Sequence, residues 1–410
     1  MKSPSEYDFL APELQRCPYE FYHALREEAP VYREPRTGYY LVSRYQDIME
    51  VKKNTQLFSN NFMKALGVRL PDEAMEVYKQ CRARPATLHR TDPPKHDRYR
   101  KLVGKTFTIG RVRQMIPYIQ GVVREMMDRF AHNGEVDWVT EYAIPLPCYV
   151  IADQLGVPRE DALKLKVWSD ALLDPVGMMV TKERIVECAR LTIEFQEYFA
   201  AKIEERRRSP QDDMLTDLSS RMEGENPLSV EEVLNILEQV MTGGNESTTS
   251  LIASGLLMLI RHPDQLVLVR SNPAQLTAFV EEVLRTESPV QSNFRLVTAD
   301  TELAGVALKK GSIVALRYGA ANRDERKFDD SEEFDLTRPN VNSHIAFGAG
   351  IHHCPGSQLA RQEAFQTFTE LLQRYERFEL RAEDADLPYH PTMFLRGLRS
   401  LPVRLVRKQD

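Results

Sequence analysis

Apolar residues recur at three- and four-residue intervals over about 110–131, 159–171, 182–208, 229–262, 273–286 and 356–376. That spacing places them on one face of an α-helix, so each segment is predicted helical. Period-two alternation is confined to short stretches. Residues Pro30 to Ser43 read as two strands joined by a turn at Pro35 to Gly38. Glu302 to Leu316 reads as a second hairpin turning at Lys309 to Gly311, and Met393 to Val406 as further short strands. Segment 63–90 has mixed charge and little periodicity, which predicts a long loop carrying one short helix around Glu73 to Gln80. Loops of that length in compact domains tend to be lids or binding loops. The expected class is mainly α (α+β), and with no internal repeat, low-complexity run or long linker the chain is expected to form one domain over 1–410.

A 410-residue chain that is 42% hydrophobic can bury a large core. Its net charge of -6 offers no general basic face for nucleic acid. The opening residues lack a basic start followed by an apolar run, and no window is apolar for long enough to span a bilayer. A cytoplasmic protein with no membrane and no nucleic-acid partner is expected. Cys17, Cys81, Cys148, Cys188 and Cys354 show no paired spacing, which argues against a disulfide framework or a zinc site. Most should be plain buried thiols.

Cys354 has different neighbours. It closes Phe347-Gly-Ala-Gly-Ile-His-His-Cys-Pro-Gly356, just ahead of a helical run. The glycines allow tight turns and close approach of a flat ligand. Pro355 suits a first helical turn. Free amides and the positive end of the helix dipole favour a thiolate there, and a thiolate can ligate haem iron. An inert cysteine in a glycine-rich turn is the other reading of this segment alone.

Ser229-Val-Glu-Glu232 is a capping-box pattern that opens the longest helical run. At about 33 residues and 1.5 Å per residue, that helix would cross the whole domain. Thr242-Gly-Gly-Asn-Glu-Ser-Thr-Thr249 stands in its middle, although each mid-helix glycine costs about 1 kcal/mol against alanine. Either the helix bends or crosses a neighbour closely there, or it loosens to admit a bulky ligand beside Glu246 and Ser247. Further along, Glu282 and Arg285 share a helix face three apart, while Glu281 would serve Arg285 equally at four apart. Arg295 ends Ser288-Pro-Val-Gln-Ser-Asn-Phe-Arg295, and His96 and Arg100 lie four apart after Asp92-Pro-Pro.

Phe-Gly-x-Gly-x-His-x-Cys-x-Gly resembles the haem-binding signature of the cytochromes P450 at every fixed position. Gly243-Gly-Asn-Glu-Ser247 is similar to that family's oxygen-activation motif, with serine where threonine is usual. Glu282 and Arg285 match its Glu-x-x-Arg element, and His96 and Arg100 its His-x-x-x-Arg pattern. Ala320-Ala-Asn-Arg-Asp324 and Phe334-Asp-Leu-Thr-Arg338 are usual in bacterial members, and the resemblance runs from about residue 15 to the C-terminus.

The resemblance implies a helical triangular prism with small β-sheets and haem b between the long central helix and the cysteine loop. Cys354 becomes the metal ligand, with Phe347, Gly348 and Gly356 around it. His96, Arg100, Arg295 and His352 become propionate partners, Gly243 and Gly244 lie against the haem, and Glu282 with Arg285 form a buried structural pair. Glu246 and Ser247 become the proton-handling acid and alcohol, the missing methyl of Ser247 threatening leakage to peroxide. The implied function is a monooxygenase that uses O2 to hydroxylate or epoxidise a small to medium hydrophobic substrate.

With no reductase domain or iron–sulfur cysteines of its own, the chain is expected to draw electrons from NAD(P)H through a ferredoxin and ferredoxin reductase. A basic patch of Arg98, Lys101, Lys105 and Arg361 is the candidate docking face, and a monomer is expected. A peroxide-driven enzyme and a non-catalytic haem sensor or carrier are the rival functions. Val240, Val290, Gln291, Asn293 and Phe394, with Ser292, Met393 and Leu395, are the expected substrate contacts. Arg82, Arg84 and Arg90 are candidates to pair with a carboxylate, or are solvated loop residues.

Overall fold

The computed structural model describes residues 2–130, 134–220 and 227–408. Its central helix, Val230–Arg261, opens as the sequence predicts: Glu232 donates its amide to Ser229 Oγ at 3.1 Å, and the Glu232 carboxylate accepts from the Ser229 amide at 2.9 Å. The helix is continuous through Thr242 to Thr249. Side-chain hydroxyls of Thr242, Ser247 and Ser250 donate to the carbonyls four residues earlier, at 2.7 to 2.9 Å. Those bonds keep a glycine- and hydroxyl-rich stretch helical, so of the two readings left open for it, loosening is not what the helix does.

Around this helix pack Lys95–Thr106, Ile109–Asp128, Ala162–Gly177, Lys182–Arg208, Gln275–Glu287 and Ser357–Arg374. Residue 131, the expected end of the second of these, lies outside the described residues. The helix expected from Pro273 begins at Gln275, and a separate helix, Pro263–Ser271, precedes it. Pro145–Gln154 is a helix that periodicity misses because seven of its ten residues are buried, leaving no polar face to mark a stripe.

The strands in chain order are β1 Val31–Arg33, β2 Tyr40–Val42, β3 Phe58–Ser59, β4 Glu135–Asp137, β5 Ser292–Val297, β6 Thr301–Leu303, β7 Val306–Leu308, β8 Ile313–Arg317, β9 Tyr375–Leu380 and β10 Pro402–Arg407. They form a five-stranded sheet ordered β1-β2-β8-β5-β3, a three-stranded sheet β4-β10-β9 and a hairpin β6-β7. The first hairpin matches expectation, Val31 facing Val42. The second does not. It turns at Ala304 and Gly305, both at positive φ, and β8 leaves to pair with β2 and β5. Lys309 to Gly311 is only the link between β7 and β8. In the tail, the single strand β10 is joined by isolated bridges Val290–Leu395 and Tyr389–Leu398.

Among the described residues no single helix is long and apolar enough to cross a membrane. Large cavities remain between the central helix, the start of Ser357–Arg374 and the β5 edge.

Candidate active site

Cys354 is placed by the turn before Ser357–Arg374. Gly348 and Gly350 adopt φ of 70° and 68°, which a side chain would strain, and the Cys354 amide donates to the Phe347 carbonyl at 2.9 Å. Gly356 is the N-cap, so Pro355 precedes the cap instead of sitting in the first turn. The Cys354 side chain is open to an internal cavity while deep inside the protein. Burial pushes its thiol pKa up, opposed by the Gly356 and Ser357 amides and by Arg100 and Arg361.

Two connected spaces meet at Cys354. One of about 300 Å³ is lined by Ser247, Val290, Ser292, Asn293, Phe394 and Leu395, together with Cys354 and Gly243. The other, of about 150 Å³, is lined by His96, Arg100, Val240, Gly243, Gly244 and Gly356, again with Cys354. Phe347 and His352 border both, and Gly348 the larger. A Cβ on Gly243 would meet open space, whereas one on Gly244 would lie 3.0 Å from Ile151 of Pro145–Gln154. Gly243 therefore opens the ligand space, and Gly244 permits a close helix crossing.

Positive groups gather at one edge of this space. Arg295 is 2% exposed and, among the described residues, donates only to Asn293 and the Phe294 carbonyl and forms no ion pair. Lys52 is 6% exposed, and its ammonium lies 5.0 Å from the Tyr318 ring centroid. Burial and Arg295 drive the Lys52 pKa well down. The His96 and His352 rings lie 4.2 Å apart, tilted by 54°, and burial lowers the His352 pKa to about 2. His352 Nε2 and Tyr318 OH are buried without hydrogen-bond partners among the described residues. Buried charges are ordinarily paired. Among the described residues no carboxylate pairs with Arg295 or Lys52, and the two propionates of a haem would do so. With a soft thiolate donor at the floor and open space beside Gly243, the residues present fit that group.

Lys52 was not singled out from the sequence. Its signal was available: it follows fully buried Ile48 by four residues, so a lysine falls on the inward face of Tyr45–Lys53.

Three expected contacts lie elsewhere. Val240 faces the smaller space beside Cys354. Gln291 turns away from the cavity: its amide donates to the Glu287 and Ser288 carbonyls, and its oxygen accepts from Tyr22. Met393 is buried in a core cluster with Phe9 and Phe294.

Glu246 and Ser247 point different ways. Ser247 borders the cavity, its hydroxyl held on the Gly243 carbonyl at 2.7 Å. Glu246 faces a separate space of about 350 Å³ lined by Asp170, Asp174, His390 and Arg399. Its carboxyl lies 3.1 Å from Lys166. Burial raises its pKa to about 7, against Lys166, which lowers it.

Glu282 and Arg285 form a fully buried bidentate pair, both bonds 2.7 Å. Arg285 also donates to the carbonyls of Asn322, Ser331 and Glu333. Glu281 instead takes Arg361 and His344. Arg361 is thereby committed to an ion pair and to the Phe347 ring, and Arg98 approaches Glu232, which leaves Lys101 and Lys105 as the exposed members of the expected basic patch.

The family model described as cytochrome P450 matches residues 41–403. The chain is 36% identical to the steroid C26-monooxygenase of Mycobacterium tuberculosis, covering 97% of this chain and 95% of that one. It is 34% identical to the 6-deoxyerythronolide B hydroxylase of Saccharopolyspora erythraea, over 94% and 96%. The solved structure of cytochrome P450 CYP109Q5 from Chondromyces apiculatus matches with a TM-score of 0.86 at 33% identity, covering 98% of this chain and 99% of that one. The chain belongs to the cytochrome P450 family and is a haem-thiolate monooxygenase.

Proposed function

We propose that the protein, as one cytoplasmic domain, inserts one oxygen atom of O2 into a small to medium, largely apolar organic substrate, using electrons passed from NAD(P)H by a ferredoxin and its reductase. The observation that carries this reading is Cys354 facing Gly243 and Ser247 across one cavity whose edge gathers unpaired buried cations. Haem, when bound, supplies the oxygen and electron chemistry, with Cys354 as its ligand and Arg100, Arg295, His96, His352 and Lys52 toward its propionates.

The chain's own residues supply protons and exclude water. Glu246 collects a proton from the polar space on its far side, where Asp170 and His390 stand. Rotation away from Lys166 carries that proton toward Ser247. The Ser247 hydroxyl, released from the Gly243 carbonyl, passes it into the cavity. Val290, Phe394 and Leu395 keep the substrate side dry, and Asn293 offers a polar contact. Retention of an acid beside an alcohol favours this reading over a peroxide-driven enzyme or a haem carrier, neither of which needs a relay.

The test is turnover with a surrogate ferredoxin, its reductase, NADPH and 18O2. One labelled oxygen atom in the product is the expected result; product formed only with added peroxide would replace the reading. Lys52→Met carries a separate prediction. Loss of one charge-assisted bond should speed haem transfer to excess apomyoglobin by about tenfold, while Lys52→Arg stays near wild type. Equal transfer rates in all three proteins would remove Lys52 from the propionate set.

A further inference from the structure

The cavity above Cys354 has an uneven charge inventory. Its larger part is apolar, with Phe62, Met63, Leu173, Val176, Phe294 and Phe394 in the wall. One acid lines it among the described residues, Glu238, and that acid is fully engaged. Glu238 Oε1 accepts from Arg84 Nη2 at 2.6 Å and Arg90 Nη2 at 2.9 Å. Glu238 Oε2 accepts from Arg84 Nε at 3.1 Å and Asn235 Nδ2 at 3.4 Å. Four bonds fill the accepting capacity of a carboxylate. Arg84 already makes the two-pronged fork that balances its charge.

Arg90 is therefore the surplus cation. It shares Glu238 through a single nitrogen, and its Nε, buried, has no hydrogen-bond partner. Its side chain is 16% exposed and lines the cavity, which Arg84 does not. Two guanidinium groups against one carboxylate leave one net positive charge at Arg90; Lys52, which also lines the cavity, is the cation already assigned to the propionate edge. Neutral donors across the cavity point the same way: the Ser292 hydroxyl is buried without a partner, and Asn293 lines the same space.

We propose that the substrate carries a single carboxylate on its apolar body and that Arg90 is the residue that binds it. The inference rests on the reading of this cavity as the monooxygenase substrate chamber. One net charge at Arg90 matches a monoanionic carboxylate better than a phosphate dianion, which would call for a second unpaired cation beside Arg90, and Lys52 is already assigned to the propionates. Glu238 stands five residues before Gly243, roughly 7.5 Å along the helix axis at 1.5 Å per residue. The acid group is thus held away from Cys354, and it is the apolar body that lies over the reacting position. Arg90 closes the short turn Leu88–Arg90 at the end of the 63–90 loop, so the same contact would fasten that loop over a bound acid.

Isothermal titration calorimetry of the holoenzyme with decanoic acid and 4-butylbenzoic acid, each beside its methyl ester, tests this at pH 7.5. At least one acid should bind ten times or more tighter than its ester. In Arg90→Gln that preference should disappear while ester affinity stays unchanged, and Arg90→Lys should restore part of it. Equal or tighter ester binding for both pairs in the wild type overturns the proposal without needing any variant. Acid preference that persists in Arg90→Gln removes Arg90 from the role. The reduced carbon monoxide spectrum of the same samples reports separately on the thiolate-ligated haem, so failure of the underlying reading is visible as its own result.

Discussion

Replacing Arg285 with alanine is expected to remove about 3–5 kcal/mol of stability, the range seen when one partner of a buried ion pair is taken away. Arg285 and Glu282 have fully buried side chains, so the carboxylate left behind has no water to turn to. The loss does not stop at the pair. The guanidinium gathers the carbonyls of Asn322, Ser331 and Glu333, which belong to the segment that leads into the cysteine loop. Glu282 retains Arg338 at 3.2 Å, which softens the loss without replacing those three bonds. Against a total stability of about 5–15 kcal/mol, the variant should melt far below the wild type and retain little haem. Arg285→Lys keeps the charge but not the planar fork, so it should recover only part of the difference. Thermal melts and haem content check both; a melting curve for Arg285→Ala that overlays the wild type would refute the role.

The second large effect is on protons. Glu246→Gln should lower coupled turnover roughly a hundred- to ten-thousandfold, with consumed NADPH diverted to peroxide, while leaving haem content unchanged. The pH dependence carries a sign. Burial raises the Glu246 pKa to about 7, so below that pH the carboxyl holds a proton to give, and above it the carboxylate is held by Lys166. Turnover should therefore fall on the alkaline side with a midpoint near 7, and that limb should be missing in Glu246→Gln. Lys166→Met removes the cation that lowers the Glu246 pKa, so the limb should move to higher pH. A limb unmoved by either change would place the proton source elsewhere.

Sequence made the centre of this site legible because its chemistry is contiguous. The capping box fixed where the central helix starts, and ten residues around Cys354 carried the ligand loop. Contacts made across the fold were harder to read. Val240 sits one turn from Gly244, but helical spacing cannot say which of two neighbouring spaces a side chain faces. Gln291 looked like a free polar group, yet its amide is consumed by carbonyls three and four residues back and by Tyr22, far away in the chain. The Lys309 to Gly311 turn reads locally as a hairpin, but β8 finds its partners, β2 and β5, outside the local stretch. Glu246 and Ser247 are adjacent in sequence, and a helix turns about 100° per residue, so one faces the cavity and the other a separate polar space.

The most direct test of the whole account is the spectrum of the reduced protein under carbon monoxide, recorded for the wild type and Cys354→Ala. A strongly red-shifted Soret band in the wild type, lost in the variant, is the expected result. A wild-type band of the kind given by histidine-ligated haem, or one that survives in Cys354→Ala, would contradict it.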